Sequence, residues 1–182
     1  MKQTVPFHFT KNIVVLQCKS TMNLIRDLSN EEEGITVLSL RQWAGRGRKG
    51  NEWLSDPGGL YFSFLLKPSF HPRWNEKLYV LTTKAVENVM QSYLPSRKIE
   101  FKIPNDVLVN GKKISGVLID AKAEGSKNLF MIVGIGINIY NPVPPPATSI
   151  EKEGVKGLTA MEVLHKFQHT FEKAYNDWLV NV

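Results

Sequence analysis

Asn110-Gly111 stands between two alternating apolar runs, at 106–109 and 114–121. A dipeptide of this kind fills the two left-handed positions of a tight turn whose twist matches paired strands. The chain is therefore committed to an antiparallel hairpin. Further strands are predicted at 13–17, 35–42, 59–66, 99–103 and 129–139, the aromatic run 59–66 being a central one. Apolar residues at helical spacing predict three helices: 22–28 behind Ser20 as N-cap, 74–93 stopped by Pro95, and 161–178 behind the capping-box pair Thr159 and Glu162. Helices interleaved with meandering strands predict an α+β fold, a mixed and largely antiparallel sheet flanked by helices.

A length of 182 residues is expected to form one domain, and 42% hydrophobic with 22% charged residues fits a globular chain with a real core. No apolar run is long enough to cross a membrane, and Lys2 is followed by no secretory h-region, so the cytoplasm is the default location. The one cysteine, Cys18, has no internal partner and reads as a buried thiol. The formal charge of +6 admits nucleic acid, anionic ligands with an acidic partner, or scattered surface lysines. The lysines do not gather on one helix, and the dozen residues before Ile13 are too few for a helix-turn-helix.

Between Gly45 and Gly50 lie three glycines and three cations, Arg46, Arg48 and Lys49. Glycine lets backbone N–H groups approach an anion, and arginine offers planar donors suited to carboxylate and phosphate. The segment reads as a loop that closes over an anionic ligand. Gly45, Gly47 and Gly50 fit G-x-G-x-x-G, but Pro57-Gly58-Gly59 follows where a helix should open, and no acid lies near His71. Taken alone, the loop also fits a nonspecific nucleic-acid contact. Two more stretches carry polar groups at chain breaks. Lys102-x-Pro-Asn-Asp106 runs into the hairpin that places Lys113, and Gly134-x-Gly-x-Asn138 ends a buried strand without bulk. His165 and His169 are four apart on the last helix, but share a polar face with Glu162 and Glu172 and read as solvated.

Taken together, Gln42-x-Ala-Gly-Arg-Gly-Arg-x-Gly-x-x-Trp53, Lys102-x-Pro-Asn-Asp106, Lys113-x-x-Gly116 and Gly134-x-Gly-Ile-Asn138 resemble the biotin–protein ligase catalytic domain, with Ser20-Thr21 as its first biotin-contacting pair. The resemblance implies an ATP-dependent enzyme that forms biotinoyl-AMP and passes biotin to a lysine of a biotin carboxyl carrier domain. A lipoate ligase or octanoyl transferase of similar fold is the alternative enzyme, and a basic nucleic-acid module the alternative binder. Arg46, Arg48 and Lys113 are implied as the charge-compensating catalytic set. Ser20, Thr21, Gln42, Gly45, Gly47 and Gly116 would hold biotin, over a floor of Gly134 and Gly136. Trp53, Lys102, Asn105, Asp106 and Asn138 would face ATP, with Mg²⁺ carried by the nucleotide near Asp106. The basic loop is expected to order on ligand. Ile103, Met22 and Asn51 depart from the residues usual in that family, tryptophan, asparagine and arginine, and Asn23 is a substitute polar contact for Met22. The resemblance predicts no membrane or nucleic-acid partner and is compatible with a homodimer. It predicts one catalytic domain over 1–182, with no N-terminal DNA-binding domain and no C-terminal β-barrel.

Overall fold

A computed structural model describes residues 6–181. Seven strands form one sheet: β1 (Lys11–Val15), β2 (Ile35–Ser39), β3 (Leu60–Leu66), β4 (Ile99–Lys102), β5 (Asp106–Val109), β6 (Lys112–Glu124) and β7 (Lys127–Ile137). Their order is β1-β2-β3-β7-β6-β5-β4. Only β1 and β2 run parallel, and the short helix α1 (Thr21–Asp27) crosses between them; every other pair is antiparallel. The helices α2 (Asn75–Tyr93) and α3 (Ala160–Leu179) complete the fold. The expected α+β architecture is what the chain adopts, with 60–66 an interior strand.

The two faces of the sheet are covered unequally. Long helices α2 and α3 seal one face through Phe62, Phe64, Val86, Phe167 and Phe171, all at most 1% exposed. Thr159 accepts from the Glu162 N–H, and Glu162 bonds back to the Thr159 N–H, closing the capping box of α3. The bonds that the Glu162 carboxylate accepts, from the Thr159 N–H first and then from its hydroxyl, hold that carboxyl below its ordinary pKa. Among the described residues the one helix on the opposite face is α1, which packs Met22 and Ile25 on Val37, Leu65 and Ile132. Seven residues make about 10 Å of helix, so much of this face is left open.

The Asn110-Gly111 turn has φ of 50° and 78°, as its sequence predicts. The β5–β6 ladder then slips: Val107 pairs with Ser115, but Leu108 pairs with Lys113. Ile114 is the extra residue of a bulge. Strict alternation would send Lys113 and Gly116 to opposite faces; the bulge brings both to the open face.

Candidate active site

A cavity of about 320 Å³ occupies the open face. Its walls are the start of α1, the loop from Gln42 to Trp53, the β4–β5 turn and the middle of β6 and β7. Ser20, Thr21, Gln42, Arg46, Gly47, Arg48, Trp53, Asn105, Asp106, Lys113, Gly116, Gly134 and Gly136 all line it. Three sequence-predicted residues do not. Gly45 is buried behind the loop, where a Cβ would meet the Trp53 carbonyl oxygen at 2.2 Å. Lys102 is exposed outside the cavity. Asn138 is 4% exposed and spent on structure: its amide donates to the Thr148 carbonyl at 3.0 Å and accepts from Asn141 at 3.2 Å. It fixes the segment beside β6, where the Thr148 N–H donates to the Lys113 carbonyl.

The inner end is a ring of neutral dipoles. Gln42 Oε1 accepts from the Thr21 N–H at 2.8 Å and from its hydroxyl at 3.2 Å, while Gln42 Nε2 donates to Ser55 Oγ at 2.8 Å. The Thr21 and Ser63 hydroxyls are 2.7 Å apart. Ser20 is the N-cap of α1, yet its side chain does not cap the helix and instead lines the cavity. Met22 also lines the wall, whereas Asn23 does not, so no polar substitution is made there.

The floor is the pair of glycine strands. Gly136 carries the Trp53 ring so closely that a Cβ would lie 2.3 Å from Trp53 Cε2; at Gly116 the Trp53 ring would be 3.0 Å away. The indole N–H of Trp53 is buried without a partner. An orphaned donor of this kind is costly unless a ligand acceptor meets it.

The mouth is cationic. Arg46, Arg48, Lys49 and Lys113 face only two carboxylates in the lining, Glu52 and Asp106. Lys113 Nζ stands 2.8 Å from Asp106 Oδ1 and 5.1 Å from the Trp53 ring centre. The approach to Asp106 is off the hydrogen-bonding direction, so that oxygen has its charge matched but no donor. Arg48 donates to Asn105 Oδ1 at 3.2 Å and lies 6.0 Å from the Tyr79 ring. Asn105 is itself fixed by donating to the Val117 carbonyl at 2.8 Å. Tyr79 exchanges bonds with the Ile119 backbone, and burial raises its pKa, against the opposing pull of that bond and of Arg48. Arg46 donates to Asp120 at 3.0 Å.

The Gly45–Gly50 loop is not a dinucleotide fingerprint: a single 3₁₀ turn over Arg48–Gly50, with Lys49 at φ 55°, follows in place of a helix. Sequence reasoning missed Ser63, Ser55 and Asp120. Ser63, fully buried in an otherwise apolar strand, was the one polar interruption that could have been noticed. His165 and His169 are exposed on α3, and no cluster of three metal-ligating side chains occurs among the described residues. Cys18 is buried, which raises its thiol pKa. No helix among the described residues is long and apolar enough to cross a membrane.

The sequence matches the Biotin/lipoate A/B protein ligase family profile over residues 14–138. It is 31% identical over 172 residues to the bifunctional ligase/repressor BirA of Bacillus subtilis, covering 89% of this chain and 53% of that protein. It is 32% identical over 116 residues to the biotin–[acetyl-CoA-carboxylase] ligase of Paracoccus denitrificans, covering 63% and 48%. The chain thus spans about half the length of these relatives. Among solved structures, the biotin protein ligase from Aquifex aeolicus in complex with biotin and ATP superposes with a TM-score of 0.77 at 32% identity, over 93% of this chain and 73% of that one.

Proposed function

The chain belongs to the biotin/lipoate A/B protein ligase family, and from that premise we propose that it activates biotin with ATP and transfers it to a lysine of a biotin carboxyl carrier domain in the cytoplasm. The observation that carries this reading is one cavity with a neutral polar end, a glycine floor and a cationic mouth. A cyclic urea both donates and accepts, and so matches the Thr21, Gln42 and Ser63 ring. A dithiolane does neither; the ring's groups bond to one another, so lipoate would leave unmet only their spare capacity, such as the second Gln42 amide N–H, at about 1–3 kcal/mol. The polar ring therefore favours biotin within a family whose description names both acids.

With the urea inward, the acid end reaches the cations. A biotin carboxylate oxygen attacks the α-phosphorus of ATP, the bond to the bridging oxygen breaks, and pyrophosphate leaves. Arg48 and Lys113 oppose the charge that gathers on the α-phosphate, and Arg46 adds charge from the rim; such preorganised charge is often the largest catalytic contribution. The neutral amine of the acceptor lysine then attacks the acyl carbon, AMP departs, and the amine proton is lost to solvent. Asp106 also fits the single-carboxylate mode in which magnesium accompanies a nucleotide. Such an ion, when bound, would neutralise phosphate charge; no protein cage for it exists among the described residues.

The test is incubation with ATP and either biotin or lipoate, with pyrophosphate release and labelling of an apo carrier domain as readouts. Biotin-dependent release and labelling are expected. Labelling by lipoate alone would overturn the assignment, and salt-sensitive oligonucleotide binding with no pyrophosphate would favour a nucleic-acid module.

A further inference from the structure

Both arginines of the basic loop are seated on β6 and its cover, but by unlike partners. Arg48 rests on the neutral Asn105 carbonyl oxygen at 3.2 Å. Arg46 rests on the Asp120 carboxylate at 3.0 Å, and the same oxygen takes Arg26 Nη2 of α1 at 2.7 Å. Asp120 follows Gly116 and Leu118 along the cavity side of β6, and its side chain is 27% exposed. Both bonds have a charged donor, but Arg46 faces an opposite formal charge whereas Arg48 faces only an amide dipole. An anion entering the cavity would therefore draw Arg48 from Asn105 more readily than Arg46 from Asp120.

We propose that Asp120 is the positioning residue of this loop: it pins Arg46 at the rim as a hinge point, so that Arg48 alone turns onto the acyl phosphate. This rests on the biotin-activation reading. Arg26 keeps the carboxylate aimed at the rim from the α1 side, which ties the loop to the helix that also presents Thr21. The loop's grip on a bound intermediate is then set by an ion pair that touches no ligand.

The test compares wild type, D120N, D120E, R46Q and D120N/R46Q. Protein loaded with labelled acyl-adenylate is chased with unlabelled biotin. D120N is expected to release the intermediate about threefold to fivefold faster, the scale of a half-exposed ion pair. D120E should recover most of the retention, and D120N should add nothing in the R46Q background. Trypsin cleavage after Arg48 and Lys49, followed without any ligand, should accelerate in D120N while cleavage elsewhere is unchanged. Wild-type retention by D120N, or an equal D120N effect with and without Arg46, overturns the proposal whatever the proteolysis shows. Were wild type to form no acyl-adenylate, the biotin-activation reading would fail; the trypsin comparison would then decide the pin alone, unchanged loop cleavage in D120N overturning it.

Discussion

Gly136 offers the sharpest test of the site's geometry. It lies in β7, paired with Tyr61 of β3 on one side and Gly116 of β6 on the other. A Cβ there would stand 2.3 Å from Trp53 Cε2 and 2.4 Å from Nε1. Carbon atoms rest at about 3.5–4.0 Å, so the ring must retreat by about 1.5 Å. The strand cannot yield, because ladders hold it on both edges. Overpacking of this sort costs about 1–3 kcal/mol, or about 2–12 °C of melting temperature for a chain of this size. The displaced ring moves into the cavity, so Gly136→Ala is also expected to weaken biotin binding by tenfold or more, about 1.4 kcal/mol. Gly134→Ala should be milder. Its Cβ meets Met22 Cγ and Sδ at 2.9 Å, and an unbranched thioether can turn aside. Gly111→Ala is the control, having open space but φ of 78°; it should lower stability and leave biotin affinity alone. Thermal melts and calorimetric titration with biotin read all three. If Gly136→Ala kept wild-type affinity and melting temperature, the glycine floor under Trp53 would be refuted.

Lys113→Ala should leave the fold intact, since the side chain is 39% exposed, and lower pyrophosphate release by about 10²–10³-fold, the scale of a lost charge-stabilising donor. Arg48→Gly should form the acyl-adenylate but lose it within the time wild type retains it; stoichiometric retention after gel filtration would contradict its role. Gln42→Leu strands the Thr21 N–H, while the Ser55 hydroxyl keeps the Trp53 carbonyl as its acceptor, and a loss of about 1–3 kcal/mol in stability is expected from thermal melts. Burial raises the phenol pKa values of Tyr61, Tyr175 and Tyr79. Above about pH 10 the unfolded chain gives up phenolic protons that the native protein keeps. Stability should therefore be full below pH 10 and fall as pH rises beyond it, seen as a declining melting temperature; a flat profile would refute the shared burial.

Local rules carried much of the fold. The Asn110-Gly111 hairpin, the capped α3 and the Pro95 stop after α2 follow from residues within a few positions of one another. What local rules could not supply was register. The bulge at Ile114 is a relation between two strands, Val107 facing Ser115 while Leu108 faces Lys113. Strand 35–42 likewise ends early, at Ser39. Beyond it Gln42 keeps only isolated bridges, its amide being taken by Thr21 and Ser55. The same blindness hid Asp120, an acid at the end of the apolar run of β6 whose meaning depends on Arg26 and Arg46 arriving from 94 and 74 residues away. Asn138 is the reverse case. The resemblance implied a nucleotide contact, whereas in this structure its amide bonds to Thr148 and Asn141 and does not line the cavity.

The division of labour across the cavity follows from how each part is held. Lys113, Gly116, Leu118 and Asp120 lie along one strand, and Gly134 and Gly136 along its hydrogen-bonded neighbour. Ladder bonds on this pair make the floor and the fixed cation the least movable parts of the site. The arginines instead sit on a turn whose side chains line the cavity from above and whose Lys49 has positive φ. For the proposed activation of biotin, precision would be needed where carboxylate and phosphorus meet in line, and a shift of about 1 Å there costs about a hundredfold in rate. Movement would be needed where a nucleotide enters and an acceptor lysine reaches the acyl carbon. Lys113 on the ladder and Arg48 on the loop would meet both demands. On that reading the proposed pin has a purpose: a lid that moved as a whole would surrender the intermediate to water each time it opened, whereas one anchored at Arg46 would release Arg48 and return it to the same place.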